Sequence, residues 1–166
     1  MSVFKAFPIS VITVVYNFEK EIRECIESVI AQNIKDLEYI IIDGGSSDKT
    51  MEIVRSYGDF ISVIVSEPDQ GLYDAMNKGL NIARGKYVHF LNADDRYYKA
   101  NTLESLLPKL NEKAVCHAQL IYTQGSDRKR TIGKPFSRKK ELKGSRMPQP
   151  AMFVPRYMFD KVGNFN

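Results

Sequence analysis

Cysteine is scarce. Cys25 and Cys116 are the only two in 166 residues. Each sits in an apolar pattern, and neither belongs to a CxxC or Cys/His spacing, so zinc is not expected and both thiols read as buried and reduced. Long apolar runs are missing too. The longest, from Ile9 to Tyr16, is far too short to cross a bilayer. Met1-Ser2-Val3-Phe4-Lys5 has no signal-peptide architecture, which makes the cytoplasm the expected compartment. Two phosphate-binding signatures are also absent. No G-x-G-x-x-G follows the first apolar run, where the turn reads Tyr16-Asn17-Phe18-Glu19-Lys20, and this argues against a dinucleotide site. No GxxxxGK followed by Ser or Thr occurs, which argues against a P-loop. The chain contains neither repeats nor low-complexity segments.

With 43% hydrophobic and 27% charged residues, the composition is that of one globular domain with one core. Charge is unevenly spread. Residues 1–100 hold 11 Lys and Arg against 15 Asp and Glu, whereas residues 101–166 hold 13 against 5. The basic residues concentrate between Arg128 and Arg146. That segment suits an anionic ligand, a nucleic acid or an anionic membrane surface, or is simply a solvated loop. It lacks the interleaved aromatics of a stacking platform, so nucleic acid is not expected as a partner.

The first hundred residues alternate two periodicities. Ile9-Ser10-Val11-Ile12-Thr13-Val14-Val15 is a β-branched run of buried-strand length. Ile22, Cys25, Ile26, Val29 and Ile30 then recur at helical spacing. Tyr39-Ile40-Ile41-Ile42 predicts a second strand, broken by Gly44-Gly45. Ser46 or Ser47 is the expected cap of the next helix, with Asp48 in its first turn. Residues 60–65 predict a third strand. Leu72, Ala75, Met76, Gly79, Leu80 and Ala83 mark a one-sided helix stopped by Gly85, and Tyr87-Val88-His89-Phe90-Leu91 a fourth strand. Such alternation implies right-handed crossovers and a parallel sheet covered on both faces. Beyond residue 100 the pattern weakens. A short helix is expected with Asn101 and Glu104 as a capping pair, an apolar face of Leu103, Leu106, Leu107 and Leu110, and a limit at Pro108. One strand is expected over 115–122, another over 151–154 after Pro148 and Pro150, and a last helix over 155–162.

In open parallel sheets, ligands bind beyond the carboxyl ends of the strands, where strand order reverses. Those ends carry Tyr16-Asn17, then Asp43-Gly44-Gly45-Ser46, then Asn92-Ala93-Asp94-Asp95. Three segments far apart in sequence should therefore converge on one edge. Adjacent carboxylates repel unless a cation joins them or water screens them. Asp94 and Asp95 fit an oxygen-ligand ion such as Mg²⁺ or Mn²⁺, or else a helix-capping acid beside a solvated one. Asp43 either accepts hydrogen bonds from a base or ribose, or closes the strand as an Asx turn. Gly44 and Gly45 would let a ligand approach the backbone closely. Tyr16 either stacks on a base or packs in the core. His89 reads as a structural histidine on a strand, and His117 likewise.

These residues resemble the family 2 glycosyltransferases. The matching pieces run in order: Ser10-Val11-Ile12-Thr13-Val14-Val15-Tyr16-Asn17, Ile41-Ile42-Asp43-Gly44-Gly45-Ser46-Ser47-Asp48-Lys49-Thr50, Glu67-Pro68-Asp69-Gln70-Gly71-Leu72-Tyr73-Asp74-Ala75-Met76-Asn77-Lys78-Gly79, and Ala83-Arg84-Gly85-Lys86-Tyr87-Val88-His89-Phe90-Leu91-Asn92-Ala93-Asp94-Asp95. The resemblance implies the GT-A fold, a Rossmann-like α/β three-layer sandwich with a mostly parallel central sheet. It implies a single domain over residues 1–166, with 1–100 the nucleotide-sugar-binding half and 101–166 the start of the acceptor-side half. It also implies an inverting, Mn²⁺- or Mg²⁺-dependent transfer from a nucleotide-diphosphate sugar, UDP-linked above all. The acceptor would be a glycan or polyprenyl-linked molecule of cell-surface polysaccharide synthesis, met at the inner face of the membrane.

The implied donor contacts are Val14, Tyr16, Asp43, Asn77, Lys78 and Asp94. Tyr16 would lie against the base and Asp43 would hydrogen-bond it. Asp95 would be the direct metal ligand, with Asp94 beside it. Asn77 and Gly79 would fix the helix behind the donor pocket. Departures are visible. Asn92 stands where a third acid is frequent, Met76 where an arginine is frequent, and Pro148-Gln149-Pro150 where His-Gln is frequent. The general base of such enzymes lies downstream of a Gly-x-Phe element like Gly163-Asn164-Phe165, so it is expected beyond Asn166. The alternative implied by that ending is a donor-binding fragment without turnover.

Overall fold

Strand β1 (Ile9–Val15) is buried along all seven residues, and its side chains alternate between two cores. Ile9, Val11 and Val15 meet Ile22, Cys25, Ile26 and Val29 of helix α1 (Ile22–Ile30) and Met51 and Val54 of α2 (Thr50–Arg55). Ile12 and Val14 meet Ala75, Met76 and Leu80 of α3 (Leu72–Ile82). A strand that is apolar on both faces must be covered on both, and that requirement produces the three-layer sandwich. The computed structural model describes residues 7–124, 128–132 and 149–166.

The sheet adds β2 (Glu38–Asp43), β3 (Val63–Ser66), β4 (Tyr87–Phe90), β5 (Cys116–His117) and β8 (Met152–Pro155). Its order is β3-β2-β1-β4-β8-β5. Strands β1 to β4 are parallel, and β8 runs antiparallel to both of its neighbours. The chain moves outward from β1 to β3 and then returns to the opposite flank of β1 as β4. This reversal opens a crevice at the carboxyl ends of β1 and β4. Helix α3 lies close enough over the sheet that a Cβ at Gly79 would sit 2.5 Å from Ile12 Cγ2. A separate ribbon pairs β6 (Leu120–Gln124) with β7 (Arg128–Ile132) in antiparallel register. Short helices α4 (Thr102–Leu106) and α5 (Tyr157–Val162) complete the elements. No helix among the described residues is long and apolar enough to cross a membrane.

The structure departs from the sequence pattern in four places. Residues 60–65 do not form one strand. Gly58–Phe60 is a 3₁₀ turn, Phe60 is exposed, and β3 begins at Val63. The apolar run at 115–122 divides between two sheets: His117 pairs with Met152, whereas Leu120 pairs with Ile132. An alternating run states that a strand exists, but not which partner holds it. Ser46 and Ser47 do not cap α2, which starts at Thr50. Instead Asp48 Oδ1 accepts the Thr50 N–H at 2.9 Å. Asn101 stands at the N-cap of α4 but makes no side-chain cap bond, and Pro108 lies in the 3₁₀ turn that follows. Of the basic segment, Arg128–Ile132 is strand β7, while residues 133–146 lie outside the described residues, as do Pro148 and residues 1–6.

At the opposite edge of the sheet, Glu38 is fully buried. Its carboxylate accepts from Ser10 Oγ at 2.5 Å and from the Arg84 backbone N–H and Nε, both at 2.7 Å. Ser10 Oγ in turn accepts the Gly85 N–H at 2.7 Å. Glu38→Ala leaves Ser10 Oγ and the Arg84 backbone N–H without their acceptor and should cost about 2 kcal/mol, read as a lowered denaturation midpoint at unchanged m-value. A loss below about 0.5 kcal/mol would show that water replaces the carboxylate.

Candidate functional site

Two loops at the carboxyl edge are bound to each other. Asn17, at a positive φ of 54°, donates its backbone N–H to Ser46 Oγ at 2.8 Å and accepts the Ser47 N–H on Oδ1 at 2.8 Å. Phe18 N–H donates to Thr50 Oγ1, Glu19 N–H to Asp48 Oδ2, and Lys49 N–H to Glu19 Oε2. Ser46 is itself anchored, its Oγ donating to Asp43 Oδ1 at 2.5 Å and its N–H reaching the same carboxylate. This lattice fixes the turn after β1, and so fixes Tyr16, whose ring is 59% exposed.

Tyr16 borders a cavity of about 350 Å³ at the reversal crevice, lined also by Val14, Phe18, Asp69, Ala75 and Asp94. The floor is apolar, and the rim carries an aromatic ring and carboxylates. Gly44 lies beneath this rim: a Cβ there would sit 3.5 Å from Tyr16 Cδ2 and overlap the Asp69 carboxylate. The bare backbone is what lets Asp69 lie beside Tyr16. Asp69 is held by its own turn, with Oδ1 accepting the Gly71 N–H at 2.8 Å. Gly71 and Leu72 also border the cavity, so the N-terminal end of α3 opens onto it. A second cavity, of about 750 Å³, lies between the sheet and the β6–β7 ribbon. Asp94 lines both cavities, and Asp95 lines the larger one.

The two acids differ in environment. Asp94 is exposed and Asp95 half-buried. Burial, then the neighbouring Asp94 charge, pushes the Asp95 carboxyl up to about 6, against a weak opposing contact from Asn92 Nδ2 at 3.4 Å. Among the described residues no cation pairs with either acid, and Asn92 Oδ1 is buried without a partner. No cluster of three or more Asp, Glu, His or Cys gathers among the described residues. Two adjacent carboxylates with no cation beside them among the described residues could hold a divalent ion of the Mg²⁺ or Mn²⁺ type, which keeps coordination positions for water and phosphate. Asp95 would hold it, with Asp94 alongside.

Val14 is buried in the cavity wall. Asp43 is fully buried and lines neither cavity: Ser46 and, at 2.6 Å, Ser66 Oγ occupy its oxygens. These bonds anchor Ser46 and Ser66 beside the Gly44 turn. Asn77 clamps the backbone of Phe165, donating through Nδ2 to the carbonyl and accepting the N–H on Oδ1, both at 2.9 Å. Lys78 is engaged by Glu67 at 3.0 Å, Asp74 at 3.4 Å and the Pro68 carbonyl at 2.9 Å. Sequence reasoning assigned no role to Asp69. Its signal was the Asp-x-Gly turn directly after β3 and before α3.

His89 is buried and stacks on Phe153 at 4.3 Å. Nδ1 lies 2.9 Å from the Met152 carbonyl, which can only accept, so Nδ1 carries the proton and Nε2 presents a lone pair. Burial pushes its pKa down to about 4. The unfolded chain binds this proton near pH 6.5 and the folded chain only near 4, so stability is full above 6.5 and falls between those values. Asp95 contributes oppositely: its raised pKa makes the folded state gain stability as pH drops through about 6. Comparing His89→Phe with the unaltered chain cancels the Asp95 contribution. The variant should lose less Tm between pH 7 and 4.5, measured by thermal melts, and parallel pH profiles would count against a buried neutral imidazole.

A sequence model described as Glycosyl transferase family 2 matches residues 10–159. The PGL/p-HBAD biosynthesis glycosyltransferase of Mycobacterium bovis is 30% identical over 162 residues, covering 95% of this chain and 62% of that protein. A Rickettsia prowazekii protein named only as an uncharacterized glycosyltransferase is 33% identical over 171 residues, covering 95% of this chain and 53% of that protein. Among solved structures, S. aureus TarS in complex with UDP-GlcNAc matches with a TM-score of 0.71 at 25% identity, covering 96% of this chain and 49% of that one. The chain thus spans between about half and three-fifths of these relatives.

Proposed function

The chain belongs to glycosyl transferase family 2, and on that premise we propose that it is the donor-binding part of an inverting, metal-dependent glycosyltransferase that uses a UDP-sugar. The observation that carries this reading is the position of Asp94, which borders both cavities. Inversion needs the acceptor to attack the sugar carbon from the side opposite the leaving diphosphate. One cavity for the nucleotide and another for the acceptor, meeting at an acidic pair, suits that requirement.

In this reading Tyr16 covers the base and Asp69 accepts from a base N–H. The N-terminal end of α3 favours the anionic diphosphate through the positive end of the helix dipole. A divalent ion held by Asp95 and Asp94 would neutralise charge developing on the departing diphosphate. The acceptor oxygen bonds to the anomeric carbon, the bond to the diphosphate breaks with its electron pair, and a carboxylate base takes the hydroxyl proton. Among the described residues, Asp94 and Asp95 are the only acids lining the larger cavity. The acceptor class is a glycan or polyprenyl-linked hydroxyl, with the basic region from Arg128 drawing the protein to an anionic membrane surface.

The same observation favours a second reading, a module that binds donor without turnover. Calorimetric titration with UDP, with and without Mn²⁺, together with a UDP-sugar hydrolysis assay separates the two. UDP binding that Mn²⁺ strengthens, without hydrolysis, supports a donor module. Absence of UDP binding under both conditions would sink both readings.

A further inference from the structure

The larger cavity holds polar groups that donor binding leaves unused. His89 and Tyr97 both line it, and His89 Nε2 and the Tyr97 hydroxyl are buried without hydrogen-bond partners. Their rings lie 5.6 Å apart. A buried polar atom left unpaired forgoes the hydrogen bonds that water would have given it. Such a floor is complete only when a water or a ligand supplies the missing bonds. Nε2 is an acceptor, because Nδ1 is committed to Met152, and Tyr97 offers a donor. Hydroxyl groups meet both needs, donating to the one and accepting from the other.

The rim differs from the floor. In the β6–β7 ribbon Thr123 pairs with Lys129 and Ile121 with Thr131. Alternation along each strand therefore puts these four residues on one face, and all four line the cavity. Lys129 Nζ lies 5.7 Å from the centre of the Tyr98 ring, and among the described residues no carboxylate pairs with it. Arg96, the other cation of this cavity, is paired with Glu24. Once a divalent ion offsets Asp94 and Asp95, Lys129 is a positive charge that no described carboxylate offsets, at the rim of a hydroxyl-binding recess.

We propose that this cavity is an acceptor subsite selective for a phosphorylated hydroxyl compound, with the hydroxyls on His89 and Tyr97 and the phosphate on Lys129. This rests on the glycosyltransferase reading and adds the chemical class of the acceptor. A soluble sugar phosphate and a lipid-borne phosphate share this chemistry.

The test uses the chain saturated with UDP and Mn²⁺, titrated with a hexose 1-phosphate and with the same free hexose while amide resonances are followed. The phosphate should bind about tenfold more tightly than the free hexose. Shifts should fall on residues 118–123 and 129–131. Lys129→Ala, a change at an exposed side chain, should erase most of that preference while leaving UDP affinity within about twofold. Sedimentation with phosphatidylglycerol vesicles separates the sources: retention that hexose phosphate competes away assigns a lipid-borne phosphate, and no retention assigns a soluble one. Equal affinity for hexose and its phosphate overturns the proposal, as do shifts confined to the Tyr16 cavity. A Lys129→Ala variant that loses UDP and hexose phosphate alike also overturns it, by moving Lys129 to the donor diphosphate. Failure of the unaltered chain to bind UDP strikes the donor reading instead, and is read from the first titration alone.

Discussion

Replacing Asp95 with alanine is expected to remove the gain in UDP affinity that Mn²⁺ confers, a loss of about 100-fold or roughly 3 kcal/mol. Asp95 is the half-buried member of the acidic pair, and burial together with Asp94 holds its carboxyl near 6. A carboxylate disfavoured in this way gains most from a cation. Asp94 is exposed, and Asp94→Ala should cost less. The fold should survive Asp95→Ala, because the side chain makes one contact of 3.4 Å with Asn92 and its removal relieves like-charge repulsion. The Tm at pH 7.5 should therefore be unchanged or higher. The same shift gives a pH signature. Only the deprotonated acid is a ligand, so Mn²⁺-dependent UDP affinity in the unaltered chain should be full well above pH 6 and fade as pH drops through about 6. Calorimetry across pH, with EDTA as the metal-free reference, reads both effects. Retained Mn²⁺ dependence in Asp95→Ala would place the ion elsewhere.

The parts of this molecule that were legible in its sequence are those where burial dictates residue type over a whole element. Ile9–Val15 can only be a strand covered on both faces. The 3.6-residue recurrence of Ile22, Cys25, Ile26 and Val29 can only be a helix lying on one of those faces. The acids were legible because a doubly wound sheet exposes the carboxyl ends of its strands, and Asp94 and Asp95 follow β4 there. What sequence does not encode is where a side chain's oxygens point. Asp43 follows three isoleucines as a ligand-binding acid would, yet its carboxylate is satisfied by Ser46 and by Ser66, twenty-three residues downstream. Asp69, which sits opposite the bare backbone of Gly44, reaches the cavity instead, beside Asp94. Lys78 and Asn77 show the same limit. Their partners, Glu67, Asp74 and the Phe165 backbone, become neighbours only through the fold.

Cross-chain pairing was equally hidden. The apolar run at 115–122 breaks because His117 finds an antiparallel partner in β8, whereas Leu120 finds one in β7. The ribbon side of the larger cavity depends on that break. The strand turning away into the ribbon brings Leu120, Ile121, Tyr122 and Thr123 to the cavity that Asp94 and Asp95 also line, and its partner brings Lys129. A basic segment that suits an anionic ligand, a nucleic acid, an anionic membrane or a solvated loop contributes one lysine to a recess. This placement gives that lysine a selective role that net charge alone could not.

Tyr16→Ala is expected to weaken UDP binding about 30-fold, near 2 kcal/mol, the scale of one base stacked on one aromatic face. Tyr16 is unusually free to be tested. Its ring is 59% exposed, and the turn that holds it is fixed by its neighbours: Asn17 with Ser46 and Ser47, Phe18 with Thr50, and Glu19 with Asp48 and Lys49. Truncating the ring leaves these bonds intact, so stability should change by less than about 0.5 kcal/mol. Tyr16→Phe keeps the face and should keep most of the affinity. The decisive comparison is with Asp95. The ring lines only the smaller cavity and Asp95 only the larger, so their losses should add, and Mn²⁺ should raise UDP affinity by the same factor in Tyr16→Ala as in the unaltered chain. Native UDP affinity in Tyr16→Ala would mean that the base lies somewhere other than the smaller cavity. Loss of the Mn²⁺ effect along with the ring would mean that base and ion are not held by separate groups.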